Sequence, residues 1–353
     1  MTPTHETYMH RCLQLARLGA GSVAPNPMVG AVLVHEGRII GEGFHRRYGG
    51  PHAEVHCIAS VSEGDRHLIP ESTLYVSLEP CAHFGKTPPC ADLIVRERIP
   101  KVVVGCRDPF PSVNGKGIDK LHAAGIEVLC NVLEAECREL NRFFFTAHTR
   151  HRPWITLKWA QSADGFIAGA NGRPVAISNA ASARYVHRLR ALHGAILVGT
   201  NTAFFDNPQL NTRHWPGSNP LRVVLDRQLR LPASLHLFNG EQTTLVLNEL
   251  RTEQHHNLEY VRVDGMGGPQ LFKRLGSILY SRGVHSLLVE GGAQLLQNFI
   301  DAGFWDEQLL ITAPGLRLGK GIPAPLRSGG VLEGSDNLAG DRLDRYRNPA
   351  NPY

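Results

Sequence analysis

Four residues announce the chemistry of this chain. Pro51-His52-Ala53-Glu54 is followed by Glu79-Pro80-Cys81 and then by Pro88-Pro89-Cys90. One imidazole and two thiolates suit zinc, and three protein ligands leave a fourth tetrahedral position for water, as a catalytic rather than a structural zinc requires. Zinc so held acidifies water to a pKa of about 7. Glu54, close to His52 at an expected helix N-terminus, faces the same cavity without joining the metal. A carboxylate there takes a proton from water and passes it to a leaving amine, the two transfers that hydrolytic deamination needs. A lone His-x-Glu is common on helix faces, and two cysteines are often small core residues. Their ordered combination, with proline before each cysteine, points instead to a metal site, with Cys57 the nearest rival as a further ligand.

The elements that must hold these residues alternate in type. Tyr8, Cys12, Leu15 and Leu18 repeat at helical spacing, which predicts a helix over Tyr8–Leu18. Apolar runs at Val29–Val34, Thr73–Leu78 and Val102–Gly105 read as buried strands, with helices beginning near His52, Ala91 and Lys116. That is an α/β sandwich pattern. Phe145–Pro153 is basic and polar, and Pro153 precedes a new apolar run, so domains are expected over 1–147 and 152–353. The second repeats the theme, with strands at Trp154–Ala160, Ala195–Val198, Leu221–Leu225 and Ser286–Val289 and a helix at Ala180–Leu192. Val289-Glu290-Gly291-Gly292-Ala293 ends a strand and opens a helix, where bare amides can approach an anion such as a pyrophosphate. It lacks the GxGxxG fingerprint, so no Rossmann fold is inferred. The tail Gly334–Tyr353 is polar and weakly patterned.

Composition agrees with this division. A chain of 353 residues exceeds what one core usually organises. Its net charge of +5 is spread without a dense Lys/Arg run, which argues against a nucleic-acid or membrane stripe and favours a small, anionic substrate. No stretch has the roughly 18 consecutive apolar residues of a membrane span, and Met1–Gly19 contains Glu6 and no apolar core, so a cytoplasmic location is expected. Seven cysteines, all in the first half, argue against a disulfide framework and leave reduced thiols as ligands.

His52-Ala53-Glu54 and Pro80-Cys81 resemble the cytidine and nucleotide deaminase superfamily. Where that superfamily usually has Cys-x-x-Cys, this chain inserts Ala82–Pro89, which resembles the bifunctional riboflavin-biosynthesis deaminase-reductases. Pro25-Asn26-Pro27-Met28-Val29-Gly30 and Gly41-Glu42-Gly43-Phe44-His45 are similar to the same family. In the second half Trp154–Gly165, Arg190-Ala191 with Ala195–Gly199 and Thr202, Asp206-Asn207-Pro208 with Leu210 and Arg213, and Glu290-Gly291-Gly292 continue the likeness.

The resemblance implies an N-terminal cytidine-deaminase-like three-layer α/β sandwich and a C-terminal dihydrofolate-reductase-like α/β domain. It implies zinc and NADPH as cofactors and, as partner, a small phosphorylated pyrimidine rather than a nucleic acid or a membrane, in a homo-oligomer. The deaminase would replace the 2-amino group of 2,5-diamino-6-(5-phosphoribosylamino)pyrimidin-4(3H)-one by oxygen, and the reductase would convert its ribosyl group to ribityl. Beside the zinc ligands His52, Cys81 and Cys90 and the proton carrier Glu54, it implies deaminase substrate contacts at Asn26, His45, His83 and Lys86. NADPH would meet Gln161, Ala176, Thr202, Asp206, Gly292, Ala293 and Gln294, and the reductase substrate Lys158, Arg190, Leu210, Arg213 and Glu290, with Arg190 and Arg213 clamping its phosphate. Where family members often have Ser-x-Trp-Ile-Thr after Gly172, this chain has Pro174-Val175-Ala176-Ile177-Ser178, so an aromatic cover is missing; Trp159 would compensate or sit in the core. Two other readings stay open: a deaminase with a non-reducing second domain, and a nucleic-acid base deaminase.

Overall fold

Buried apolar strands flanked by amphipathic helices build the two units into which the chain divides, Met1–Arg150 and His151–Pro352. The structure is a computed structural model that describes residues 4–84, 88–170, 172, 175–268 and 270–351.

The first unit contains α1 (His5–Arg17), β1 (Gly30–His35), β2 (Arg38–Phe44), α2 (Ala53–Ala59), β3 (Thr73–Leu78), α3 (Cys90–Arg96), β4 (Lys101–Cys106), α4 (Lys116–Ala123), β5 (Glu127–Leu129), α5 (Glu134–Leu140) and α6 (Arg142–Arg150). Its sheet runs β2-β1-β3-β4-β5, with β1 antiparallel to β2 and β3, and β3, β4 and β5 parallel. Strand residues alternate between two cores, as a period of two demands. Ala31, Leu33, Leu74 and Val76 meet α2, α3 and α4 through Ala53, Ile58, Ile94 and Leu121. Val32, Val34, Tyr75 and Val103 meet α1, α5 and α6 through Tyr8, Cys12, Cys137 and Phe145. The result is a three-layer sandwich. The glycines of β2 have a packing reason: a Cβ on Gly43 would lie 2.2 Å from the Cys57 amide nitrogen, and one on Gly41 would lie 2.6 Å from the Cys57 carbonyl. Only bare backbone lets α2 lie this close.

The second unit contains β6 (Trp154–Ser162), β7 (Phe166–Gly169), α7 (Ala180–Leu192), β8 (Ala195–Gly199), α8 (Thr200–Asp206), β9 (Leu221–Leu225), β10 (Thr244–Asn248), β11 (Glu253–His255), β12 (Leu258–Arg262), α9 (Gln270–Tyr280), β13 (Ser286–Val289), α10 (Ala293–Asp301), β14 (Glu307–Ala313), β15 (Gly321–Pro323), β16 (Val331–Leu338) and β17 (Asp341–Arg347). One sheet runs β11-β12-β10-β9-β8-β13-β6-β14-β17-β16, parallel from β12 to β14 and antiparallel at both edges. Leu271, Leu275, Leu296 and Phe299 of α9 and α10 cover one face; Val186 and Leu189 of α7 and Ala203 of α8 cover the other. The polar tail forms the hairpin β16–β17. Its edge strand β16 is mostly exposed, so nothing demanded the apolar alternation that marks a strand in sequence.

Candidate functional site

Three segments of the first unit converge on the metal ligands. His52 is the N-cap of α2, and its side chain makes no capping bond, which leaves the imidazole free for the cluster. Cys81 follows β3, and Cys90 opens α3 behind Pro89. His52 Nδ1 lies 3.5 Å from Cys81 Sγ and 3.3 Å from Cys90 Sγ, and the three donors fall within 4.8 Å of one another. Tetrahedral zinc with its usual bond lengths separates nitrogen and sulfur ligands by roughly 3.5 Å. The donor set and its spacing therefore fit the metal. The two thiols act on each other: interaction with Cys90 pulls the Cys81 thiol down, and the same interaction pushes Cys90 up. Cys57 stands apart, fully buried in the core with a thiol raised by desolvation, and is no ligand.

Glu54, the second residue of α2, is 3 % exposed. Burial raises its pKa above the ordinary carboxylate value, and its carboxylate contacts the Cys90 thiol. His45 is buried beside the cluster, its ring 5.4 Å from that of His52 and edge to face with it. Its Nδ1 donates to the Pro51 carbonyl at 2.9 Å, which leaves Nε2 to accept from the Asn26 amide at 3.1 Å. Desolvation lowers the His45 pKa, in keeping with that neutral tautomer. His83 sits near the ligands by connectivity, its ring 6.1 Å from that of Phe110 and its buried Nδ1 without a hydrogen-bond partner. Lys86 lies outside the described residues. Two buried acids were missed by the motif reading. Asp108, after β4, is pushed up to about 7 by burial, against the Phe110 amide it accepts and with Glu79 and Cys81 adding to the rise. Glu79 directly precedes Pro80-Cys81, and that adjacency was the available signal.

In the second unit an ion trio joins β6, the end of β13 and α7. Glu290 Oε1 accepts from Arg190 Nε at 2.8 Å, while Oε2 accepts from Arg190 Nη2 at 3.0 Å and from Lys158 Nζ at 3.5 Å. Against the desolvation that would raise it, Arg190 and Lys158 hold the Glu290 pKa down to about 2. Arg190 Nη1 also donates to the Asn211 carbonyl at 3.2 Å, and Arg213 bonds the Asn211 side chain at 3.0 Å. His187, on the same face of α7 as Arg190, is pushed down to about 4 by burial and by Arg190 and Arg213. At the start of α10, Gly292 serves as N-cap without a side-chain bond, and its amide donates to Thr202 Oγ1 at 2.7 Å. A Cβ on Gly291 would lie 3.0 Å from the Gly199 nitrogen, so the turn admits only glycine-like approach. Ala293 and Gln294 follow with their amides in the open first turn, the kind of terminus that receives a phosphate. The turn thus fits a phosphate of the kind a dinucleotide carries.

Residues 2–106 match the cytidine and deoxycytidylate deaminase zinc-binding region, and residues 153–338 match the RibD C-terminal domain. The riboflavin biosynthesis protein RibD of Aquifex aeolicus is 41 % identical over 324 residues, 90 % of this chain and 88 % of that one. The chain belongs to the RibD family. A diaminohydroxyphosphoribosylaminopyrimidine deaminase/5-amino-6-(5-phosphoribosylamino)uracil reductase of Thermotoga maritima superposes with a TM-score of 0.88 at 38 % identity, covering 98 % of each chain. Acinetobacter baumannii RibD superposes at 0.86 with 34 % identity, over 97 % of this chain and 98 % of that one. As a RibD, the chain is a bifunctional deaminase and reductase of riboflavin biosynthesis that uses zinc and NADPH. Its units have the cytidine-deaminase-like and dihydrofolate-reductase-like folds that the motifs implied. Neither the non-reducing second domain nor the nucleic-acid base deaminase is favoured by the whole-chain match. No described helix is long and apolar enough to cross a membrane.

Against this RibD frame the expected reductase residues fall into two groups. Lys158, Arg190 and Glu290 meet in the trio, Arg213 joins them through Asn211, and Thr202 meets Gly292. Arg190 differs from the expected phosphate clamp, because its Nε and Nη2 face Glu290 and its Nη1 holds Asn211. Leu210 has its side chain in the core and a φ of 52°, so what it offers a ligand is backbone. Asp206 ends α8 at the surface, and Ala176 is exposed in an irregular stretch. Gln161 accepts from Trp159 Nε1 at 3.1 Å, and the Trp159 ring is packed in the core.

Proposed function

We propose that residues 1–147 deaminate 2,5-diamino-6-(5-phosphoribosylamino)pyrimidin-4(3H)-one and that residues 152–353 then reduce its ribosyl group to ribityl. The observation that carries this reading is Glu54, a buried carboxyl with a raised pKa beside a three-donor cluster that fits zinc. Zinc held by His52, Cys81 and Cys90 would supply the Lewis acidity that makes water a nucleophile near neutral pH. Glu54 does the proton work: it takes the proton of the attacking water and delivers it to the departing ammonia, a task for which a carboxyl poised above its ordinary range is suited. His45 orients the Asn26 amide, whose oxygen is left to accept from the pyrimidine. His83 and Lys86 would meet the ribose phosphate from the loop between the cysteines.

In the second unit bound NADPH would supply hydride for the sugar's C1′, and the chain's own residues supply binding and orientation. Gly292, Ala293, Gln294 and Thr202 form the anion end of that site, with Gln161, Ala176 and Asp206 along it. Lys158, Arg190, Leu210, Arg213 and Glu290 position the substrate. Seven free cysteines support a reducing, cytoplasmic setting. The exposed edge strand β16, with Val331 and Leu332 half open, supports a homo-oligomer. The test is a paired assay with zinc, NADPH and the phosphorylated diaminopyrimidine. Equal amounts of ammonia and oxidised NADPH are expected; absence of ammonia release overturns the deaminase reading.

A further inference from the structure

Helix α4 starts with a problem. Its N-cap is Gly115, at φ +86°, which has no side chain to meet the open amides of the first turn. The partner comes from the metal loop. Glu79 is 4 % exposed; its Oε1 accepts from the amides of Gly117 at 3.0 Å and Ile118 at 3.4 Å, and its Oε2 from those of Gly115 at 3.0 Å and Asp108 at 3.3 Å. A carboxylate against the positive end of a helix is favourable. The approach is tight enough to require glycine: a Cβ on Gly117 would lie 1.9 Å from the Pro80 carbonyl oxygen and 3.3 Å from Glu79 Oε1. Pro80 is the residue between Glu79 and Cys81, so the start of α4 presses on the peptide that carries the metal ligand.

The opposite side of Cys81 is held by α3. The Cys81 carbonyl accepts from the Ala91 amide at 3.1 Å, and the Cys90 amide points at Cys81 Sγ at 3.3 Å. The Glu79 amide in turn donates to the Cys106 carbonyl at 3.0 Å, continuing the β3–β4 ladder to the edge of the loop. We propose that Glu79 is a positioning residue of the metal centre: through four backbone amides it locks the Asp108–Ile118 segment onto the Pro80-Cys81 peptide and so fixes where Cys81 Sγ stands. The proposal rests on the reading of Cys81 as a zinc ligand.

Glu79→Gln tests it, since the amide keeps the size but turns an NH2 group toward amides that need an acceptor. In the zinc-loaded full chain, zinc transfer to a chelator should be about tenfold faster or more, and deaminase kcat about tenfold lower, as for other groups that orient metal ligands. Glu79→Asp should recover part of both, and reductase turnover on the deaminated pyrimidine, read in the same sample, should be unchanged. Gly117→Ala, which drives a methyl group against the Pro80 carbonyl while keeping Glu79, should also speed zinc release. Wild-type zinc release and kcat in Glu79→Gln overturn the proposal, and so does an effect confined to thermal stability. If Glu79→Gln does not fold, Glu79→Asp and Gly117→Ala carry the same comparison. A wild-type chain that releases no ammonia counts against the deaminase reading alone, and the zinc-release measurement still decides this one.

Discussion

Glu54 and Glu290 are both buried carboxyls, and their surroundings drive them in opposite directions. Desolvation raises Glu54, which has the cluster's thiols and imidazole beside it. Glu290 resists the same desolvation because Arg190 and Lys158 face it, and its pKa falls to about 2. The first is a carboxyl whose burial favours its protonated form above the ordinary carboxylate range; the second is a fixed negative charge. On the proposed reading, one unit does proton chemistry with its own side chain. The other, on the same reading, keeps its charges paired to position a substrate while a cofactor carries the reaction. The largest effect that would break this contrast is at Glu54. Glu54→Gln should retain zinc by metal analysis yet lose deamination by about 10²–10⁴-fold, the range of a general acid–base group. Its reductase rate on the deaminated substrate should not change, and a variant that still releases ammonia at the normal rate would remove the proton role.

The same substitution at the other acid should act on stability. Glu290→Gln leaves Arg190 and Lys158 buried without their counter-charge, and breaking a buried pair in this way costs about 3–5 kcal/mol. Denaturant unfolding of the variant should show the second unit's transition moved by that amount while zinc binding persists. The wild-type chain offers a milder version through pH. The folded pKa of Glu290 lies below its ordinary value of 4.5, so its stabilising contribution is fully present above that pH and is lost as pH falls toward about 2. Melting curves between pH 5 and pH 2 should therefore fall more steeply for the wild type than for Glu290→Gln; parallel curves would mean that Glu290 is not the fixed charge described.

The contrast also explains what was legible in the sequence. His52, Cys81, Cys90 and Glu54 were readable because their chemistry needs those side chains and few others, and β3 and β13 because strands buried on both faces are continuous apolar runs. Much of the second site is backbone. The amide of Gly292 and the first turn of α10 carry no side-chain signature beyond a pair of glycines. Arg190 was expected as a phosphate clamp, but whether it faces a phosphate or Glu290 depends on α7 lying beside the end of β13, a contact between residues far apart in the chain. Glu79 was hidden for the same reason, since its partners are amides at 108–118. β2 escaped because its inner face is built on Gly41 and Gly43, which pack without an apolar pattern.

A site made of backbone should yield smaller effects when a side chain beside it is changed. Thr202 Oγ1 accepts the Gly292 amide and leaves its own hydroxyl proton to donate onward, so it links the protein to whatever anion the turn receives. Thr202→Val keeps the branched shape and removes that link. A neutral hydrogen bond contributes about 0.5–1.5 kcal/mol net, which sets the expected rise in the KM for NADPH at roughly two- to tenfold, with deamination untouched. A much larger loss would mean that Thr202 holds the whole turn in place rather than one amide of it. An unchanged KM would move the phosphate away from Gly292 toward the amides of Ala293 and Gln294, which need no help from Thr202.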